Sequence, residues 1–145
     1  MNNISPHITY AEATRTKAQA DNTPNSEQLA AMRLLADNVF EPLRAIVQQP
    51  IIITSFFRSE KVNKMIGGAS NSQHTKGEAI DIKLPGRNKS LFEIIRNQLH
   101  FDKLIWEFGT DQEPSWVHVS YKATGNRGEV LRAKMIKGKA VYTRI

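Results

Sequence analysis

The chain has 145 residues, of which 40% are apolar and 23% charged, as expected for one folded, soluble domain and not for a disordered chain. It contains no cysteine, which excludes disulfides, thiol nucleophiles and thiolate metal sites, so any metal must bind to His, Asp or Glu. The formal net charge is +6, with Lys and Arg densest from Lys122 to Arg144. This charge either attracts a polyanion, such as nucleic acid or an anionic wall polymer, or serves only solubility.

Four segments show helical patterns, at residues 9–20, 29–46, 59–66 and 90–99. Thr9 is the expected N-cap of the first helix, with Glu12 three residues later. The second has an apolar stripe from Leu29 to Ile46 and is expected to kink at Pro42. We expect residues 1–8, which precede these helices, to be loosely held.

Strand patterns follow in the second half of the chain, at residues 51–54, 78–84, 104–108 and 116–121, and a last hairpin is predicted from 130–135 and 140–144. The first of these strands is β-branched throughout, so we expect it to be buried. Helices first and strands later favour an α+β fold, with the N-terminal helices packed on a mostly antiparallel sheet. The expected organisation is a single domain over residues 1–145.

No apolar run approaches the roughly 18 residues of a membrane span. The stretch from Met1 to Tyr10 also lacks the basic and then apolar segments of a secretory signal. We therefore expect the protein to be cytoplasmic as synthesised. No interleaving of aromatic and basic residues supports a nucleic-acid partner.

A candidate metal site involves His74 and Asp81, which lie seven residues apart with Gly77 between them. The glycine allows a tight turn, so that a loop histidine and a strand carboxylate can converge. His118, on a later strand, is available as a third ligand. Two imidazoles and one carboxylate suit a catalytic Zn²⁺ with one position open.

A carboxylate near this site is predicted from strand pairing. If residues 104–108 and 116–121 form a hairpin with their apolar residues on one face, Trp106 opposes Val119 and Phe108 opposes Val117. Glu107 then opposes His118 on the other face, where it can act as the general base on the attacking water. Glu113 and Asp111, in the loop between the strands, remain rival bases.

Arg58 follows the first predicted strand and leads into the loop before His74. A cation at this place is suited to stabilise the oxyanion that forms when a peptide carbonyl is attacked. Capping a surface turn is the structural alternative for this arginine.

Three segments carry a family resemblance: Ser72-x-His74-x-x-Gly77-x-Ala79-x-Asp81, then Trp116-Val117-His118, and upstream Thr54-Ser55-Phe56-Phe57-Arg58-Ser59 with Val62-Asn63 and Gly67-Gly68. Together they closely resemble the M15 zinc metallopeptidases over roughly residues 5 to 121. These are D-Ala-D-Ala carboxypeptidases and peptidoglycan endopeptidases, which share a fold with the hedgehog signalling domain. The resemblance implies Zn²⁺ on His74, Asp81 and His118, a cation role for Arg58, and cleavage of wall peptides that contain D-amino acids.

One position departs from the family pattern. Many members have the catalytic carboxylate three residues before the last histidine, where this chain has Ser115. Either Glu107 or a loop carboxylate such as Glu113 serves as the base, or activity has been lost. The absence of a secretory signal pattern in residues 1–10 is similar to the phage and prophage branch of the family, whose endolysins reach the wall on lysis.

Two functions of different classes therefore stand. The first is a peptidoglycan carboxypeptidase or endopeptidase. The second is a non-catalytic module, stabilised by zinc, that binds the cell wall or forms part of a phage particle. Glu107 discriminates between them, because a binding module does not need a carboxylate that faces the metal.

Overall fold

The computed structural model describes residues 3–145. The α-helices are α1 (Tyr10–Thr14), α2 (Ser26–Leu35), α3 (Glu41–Val47), α4 (Glu60–Met65) and α5 (Asn88–Gln98). The strands are β1 (Ile52–Ser55), β2 (Ala79–Lys83), β3 (Lys103–Glu107), β4 (Trp116–Ser120), β5 (Glu129–Ile136) and β6 (Lys139–Arg144). None of the helices in this part of the chain is long and apolar enough to span a membrane.

The six strands form one sheet in the order β1-β2-β4-β3-β5-β6. All neighbouring pairs are antiparallel except β3 and β5, which run parallel. The predicted α+β fold with a mostly antiparallel sheet is confirmed. The C-terminal hairpin is also present as β5 and β6, although its attachment to the edge of β3 was not predicted.

The two faces of the sheet have different roles, because side chains alternate along each strand. One face packs against the helices and forms the core, with Ile80 of β2, Leu104 of β3 and Val119 of β4 all fully buried. Helix α5 lies against β3 and β4, and its Leu91 and Ile95 complete this layer. The opposite face of the same strands carries Asp81, Glu107 and His118. The core thus fixes the backbone that holds the candidate site.

The register of the β3–β4 hairpin differs from the prediction by two residues. Trp106 pairs with Val117, Ile105 pairs with His118, and Glu107 pairs with Trp116. A shift of two residues leaves every side chain on its expected face, so face alternation could not distinguish the two registers. The loop decides the register, because the strand ends at Glu107, whose carbonyl accepts from the Ser115 amide at 2.9 Å.

Phe108 leaves the strand instead of pairing with Val117. Its φ of +56° and the φ of +71° at Gly109 turn the chain out of the sheet. The loop is closed so tightly that a Cβ on Gly109 would lie 2.2 Å from the Glu113 carbonyl oxygen. The predicted burial of Phe108 on the apolar face is therefore wrong, and its ring instead packs edge-on against Trp116.

The first predicted helix is shorter than expected. The capping box of Thr9 and Glu12 is present, but the helix ends at Thr14, and Arg15 is already extended. Hydrogen bonds to distant chain segments replace the missing turns, since Arg15 donates to the Ile53 carbonyl and Asn22 donates to the carbonyls of Thr14 and Phe57.

The predicted looseness of the N-terminus is wrong for residues 3–8. Ile4 and Ile8 are buried in the core, and the Ile4 amide donates to the Ile8 carbonyl at 2.9 Å. Ser5 and His7 are held by Glu41 of α3. Residues 1 and 2 lie outside the described residues.

Two further expectations are modified. Strand β1 is the edge of the sheet and not a buried strand, because Ile53 faces the core while Ile52 is 43% exposed. The long helical pattern runs from α2 to α3, interrupted by a π-helical turn at Ala36–Phe40 just before Pro42. A widened turn accommodates the missing amide and the ring of proline.

The net charge of the protein is concentrated in the C-terminal segment at residues 122–145, which contains β5 and β6. Seven of the 20 Lys and Arg residues but only one of the 14 Asp and Glu residues lie in residues 122–145, so this segment carries the whole net charge of +6. Asp102, which is fully buried, binds two of these cations, Arg127 and Lys122. No salt bridge among the described residues involves Lys134, Lys137 or Lys139 near the hairpin turn.

We expect Gly77→Ala to destabilise the fold far more than Gly86→Ala. Both glycines have a positive φ, near +74° and +78°, which costs alanine about 1–2 kcal/mol. At Gly86 a Cβ would meet open space, but at Gly77 it would lie 2.5 Å from the Gln28 carbonyl oxygen of α2. Chemical denaturation of both variants measures the difference, and equal losses would contradict the close packing of this turn on α2.

Candidate metal centre and cleft

His74 lies in a 3₁₀ turn at Gln73–Lys76 and is only 2% exposed. Its Nδ1 is 2.7 Å from the Phe56 carbonyl oxygen, which can only accept, so Nδ1 carries the proton. Nε2 is therefore the unprotonated nitrogen, and it is buried without a hydrogen-bond partner among residues 3–145. A histidine held in this way by a backbone carbonyl has its free lone pair ready for a metal ion.

Asp81 lies between the two histidines. Its carboxylate oxygens are 3.3 Å from His74 Nε2 and 2.9 Å from His118 Nδ1. The pairing of β2 with β4 explains the second contact, because Asp81 is directly opposite His118. Burial alone would raise the pKa of Asp81, but the two adjacent imidazoles, of which His118 is in hydrogen-bond contact with the carboxylate, outweigh burial and hold this pKa below its usual range.

The three residues together could hold a metal ion. One ligand atom from each of His74, Asp81 and His118 lies within 4.8 Å of the others. The unpartnered Nε2 of His74 fits this role, since a buried nitrogen without a partner is costly unless something binds it. The structure thus brings together the three side chains that were predicted from the sequence as ligands.

Glu107 lies on the same face of the sheet as His118 and lines the same cavity. It pairs with Trp116, two residues before His118, so Glu107 is diagonal to His118 instead of opposite it. Burial raises the pKa of Glu107 from 4.5 to about 7, helped by the charge of Asp81 and opposed by those of His118 and Arg58. This carboxylate can therefore bind and release a proton near neutral pH.

Arg58 reaches the cavity from the segment between β1 and α4. Its Nη1 donates to Asn63 Oδ1 at 3.1 Å, and the backbone amide of Arg58 donates to the His74 carbonyl at 3.2 Å. A Cβ on Gly68 would lie 2.0 Å from the same Asn63 oxygen. The Asn63 and Gly68 positions of the sequence pattern thus hold the arginine in place. Burial lowers the pKa of Arg58, and the charges of Asp81 and Glu107 oppose that shift.

The rival carboxylates lie in other contacts. Glu113 accepts from the Lys89 backbone amide at 3.0 Å, and Asp111 pairs with Arg132 at 2.6 Å. Neither lines the cavity around the metal ligands. Ser115, at the position of the usual family carboxylate, is exposed and bonds through its amide to the backbone of Glu107. Glu107 is thus the neighbour of position 115 across the hairpin.

The site opens into a cavity of about 580 Å³. One wall is the loop at residues 67–73, and the other is formed by β3 and the C-terminal hairpin through Lys103, Leu131 and Tyr142. The sequence did not indicate that the hairpin residues line this cavity. Their alternation predicted a hairpin, but nothing local indicated that it would join the edge of β3.

This arrangement is that of a metal-dependent hydrolase, because a metal-binding group, a carboxylate of raised pKa and a cation share one open cavity. Residues 6–120 match the family model of Peptidase M15. The match covers most of the chain, which therefore belongs to the M15 peptidase family, a family of metallopeptidases. Among curated proteins, none matches the chain.

We expect the metal-free protein to lose stability as the pH rises from about 4.5 to about 7. The folded state keeps a proton on Glu107 in this interval that the unfolded chain releases, so the free energy of unfolding falls with rising pH. Glu107→Gln removes this effect and should raise stability at pH 8 by at most about 3 kcal/mol, with little change at pH 4.5. Thermal unfolding of chelated protein at both pH values tests this, and equal shifts at both would contradict it.

Proposed function

We propose that the protein is a zinc-dependent peptidase that hydrolyses peptidoglycan stem peptides containing D-amino acids, as a D,D-carboxypeptidase or an endopeptidase. The observation that carries the catalytic part is the presence of Glu107 and Arg58 on the cavity of the His74, Asp81 and His118 group. Two imidazoles and a carboxylate form the donor set of many catalytic zinc sites. The wall-peptide substrate rests on the resemblance of the motifs around these residues.

The ligands in this proposal are His74 through Nε2, Asp81 through its carboxylate and His118 through Nδ1. Zinc held there would supply a Lewis acid that polarises the peptide carbonyl and makes water more acidic. Glu107 takes the proton of the attacking water as the new C–O bond forms. It then gives that proton to the amide nitrogen as the C–N bond breaks, which returns the carboxylate to its starting state.

Arg58 has a separate role in the proposal. Negative charge develops on the carbonyl oxygen during attack, and a fixed cation stabilises it most when it does not have to reorganise. The hydrogen bond to Asn63 at 3.1 Å restricts the guanidinium, and Arg58 lines the cavity that contains the metal ligands. A bound substrate can therefore contact an arginine that is already held in place.

The second candidate is a non-catalytic, zinc-stabilised module that binds the cell wall or belongs to a phage particle. Ser115 favours this candidate, because it is an uncharged residue at the position where many family members have the catalytic carboxylate. Glu107 argues against it, since a buried carboxylate with a raised pKa destabilises a fold that has no use for it. The proposed enzyme is therefore the better account of the site.

Incubation of zinc-loaded protein with purified muropeptides, followed by mass spectrometry, tests the proposal. We expect hydrolysis of stem peptides that contain D-amino acids and little hydrolysis of all-L peptides of the same composition. The masses of the products also identify the bond that is cut. Binding to intact wall material without any cleavage would support the second candidate. Efficient digestion of casein without release from peptidoglycan would exclude the proposed substrate.

A further inference from the structure

The hairpin of β5 and β6 lies beyond residues 6–120, which match the family model. It nevertheless contributes Leu131 and Tyr142 to the cavity that contains the metal ligands. One wall of the cleft is thus formed by residues that follow the shared family region. A substrate that fills the cleft must contact them.

Strand pairing aligns this wall with the catalytic candidates. One row of paired residues crosses four strands through Trp116, Glu107, Ala133 and Tyr142. The next row runs from His118 through Ile105 to Leu131. Paired residues on adjacent strands point to the same side of a sheet, so Tyr142 and Leu131 share the face of Glu107 and His118.

The side chain between Glu107 and Tyr142 is only the methyl group of Ala133, which is fully buried. No bulky side chain of β5 therefore separates the carboxylate from the phenol within this row. Tyr142 is 50% exposed, so its ring is accessible from the cleft. Tyr142 lines the same cavity as Glu107 and Asp81. Burial and the charges of these two carboxylates raise the pKa of Tyr142, so the phenol stays protonated and can donate a hydrogen bond.

We propose that Tyr142 is a substrate-binding residue, which donates a hydrogen bond to a backbone carbonyl of the bound peptide while Leu131 and Ile105 contact an uncharged side chain beside the cut bond. The assignment rests on the proposed peptidase function. An acidic side chain is disfavoured at this place because it would lie near Glu107 and Asp81, whereas an apolar one buries Leu131 and Ile105 further.

The test is steady-state kinetics of zinc-loaded Tyr142→Phe and Tyr142→Ala on the wall peptide that the wild type cleaves. Loss of one neutral hydrogen bond should raise KM about 2- to 10-fold in Tyr142→Phe. Tyr142→Ala also loses the ring contact and should raise KM at least about 10-fold, with kcat within about 3-fold of wild type. Val141→Ala is the matched control, because Val141 is on the same strand but the opposite face.

Zinc content and Tm should be unchanged in Tyr142→Phe. An unchanged KM in both Tyr142 variants would overturn the assignment while the peptidase function stands. A loss of zinc or a fall in Tm that accounts for the lost activity would also overturn it, since Tyr142 would then act on the fold. Failure of the wild type to cleave any wall peptide would overturn the proposed function itself, and the assignment with it.

Discussion

Replacing Glu107 by glutamine is expected to lower kcat by about 10²- to 10⁴-fold, the usual contribution of a general base. Glutamine has nearly the same shape but cannot take a proton from the attacking water. Glu107 is 6% exposed and lines the cavity of the metal ligands, so the isosteric change preserves the packing around it. Single-turnover assays on the cleaved wall peptide measure the chemical step, and elemental analysis should give the wild-type zinc content.

Glu113→Gln and Asp111→Asn are the matched controls. Both carboxylates lie in the hairpin loop, where Glu113 binds the Lys89 amide and Asp111 binds Arg132. Each control should retain kcat within a few-fold of wild type. If Glu113→Gln lost as much activity as Glu107→Gln was expected to lose, while Glu107→Gln stayed active, the general base would have to be reassigned to the loop. The family membership would be unaffected.

Replacing His74 by alanine is expected to abolish both zinc binding and hydrolysis. The imidazole supplies the unpartnered Nε2 and also satisfies the Phe56 carbonyl through Nδ1 at 2.7 Å. Alanine therefore removes one of three ligands and leaves a buried carbonyl unpaired, which costs about 1–3 kcal/mol of stability. Elemental analysis after gel filtration should give close to one zinc per wild-type chain and almost none for the variant.

His100→Ala is the control for this experiment, because His100 is exposed and lies outside the metal-binding group. It should bind zinc and hydrolyse substrate as the wild type does. Asp81→Ala and His118→Ala should behave like His74→Ala. Full activity of the wild type after metal has been stripped, with no zinc detected, would contradict the metal-dependent mechanism.

The fold could be predicted from the sequence wherever one local pattern decides the structure. The faces of β2, β3 and β4 follow from alternation, which placed Asp81, Glu107 and His118 on one side before any register was known. The register of β3 against β4 does not follow from alternation, because a shift of two residues leaves every side chain on the same face. The turn at Phe108 and Gly109 determines this register, and a phenylalanine with φ of +56° is not expected from sequence alone.

The position of the C-terminal hairpin needed information that is not local. Strand β5 joins β3 after the loop at residues 121–128, which is held by Asp102. Asp102 is fully buried and accepts from the backbone amide, Nε and Nη2 of Arg127. Neither residue has a sequence signal that marks it as part of an ion pair between a buried aspartate and a half-exposed arginine, so Leu131 and Tyr142 could not be placed in the cleft from the sequence.

The charge of the hairpin segment gives the molecule a direction. Residues 122–145 carry the whole net charge of +6, and the preceding residues balance. A negative surface therefore attracts this segment more strongly than the rest of the chain, although Asp102 and Asp111 pair with three of its cations, Lys122, Arg127 and Arg132. Salt weakens this attraction over a screening length of about 10 Å at 0.1 M.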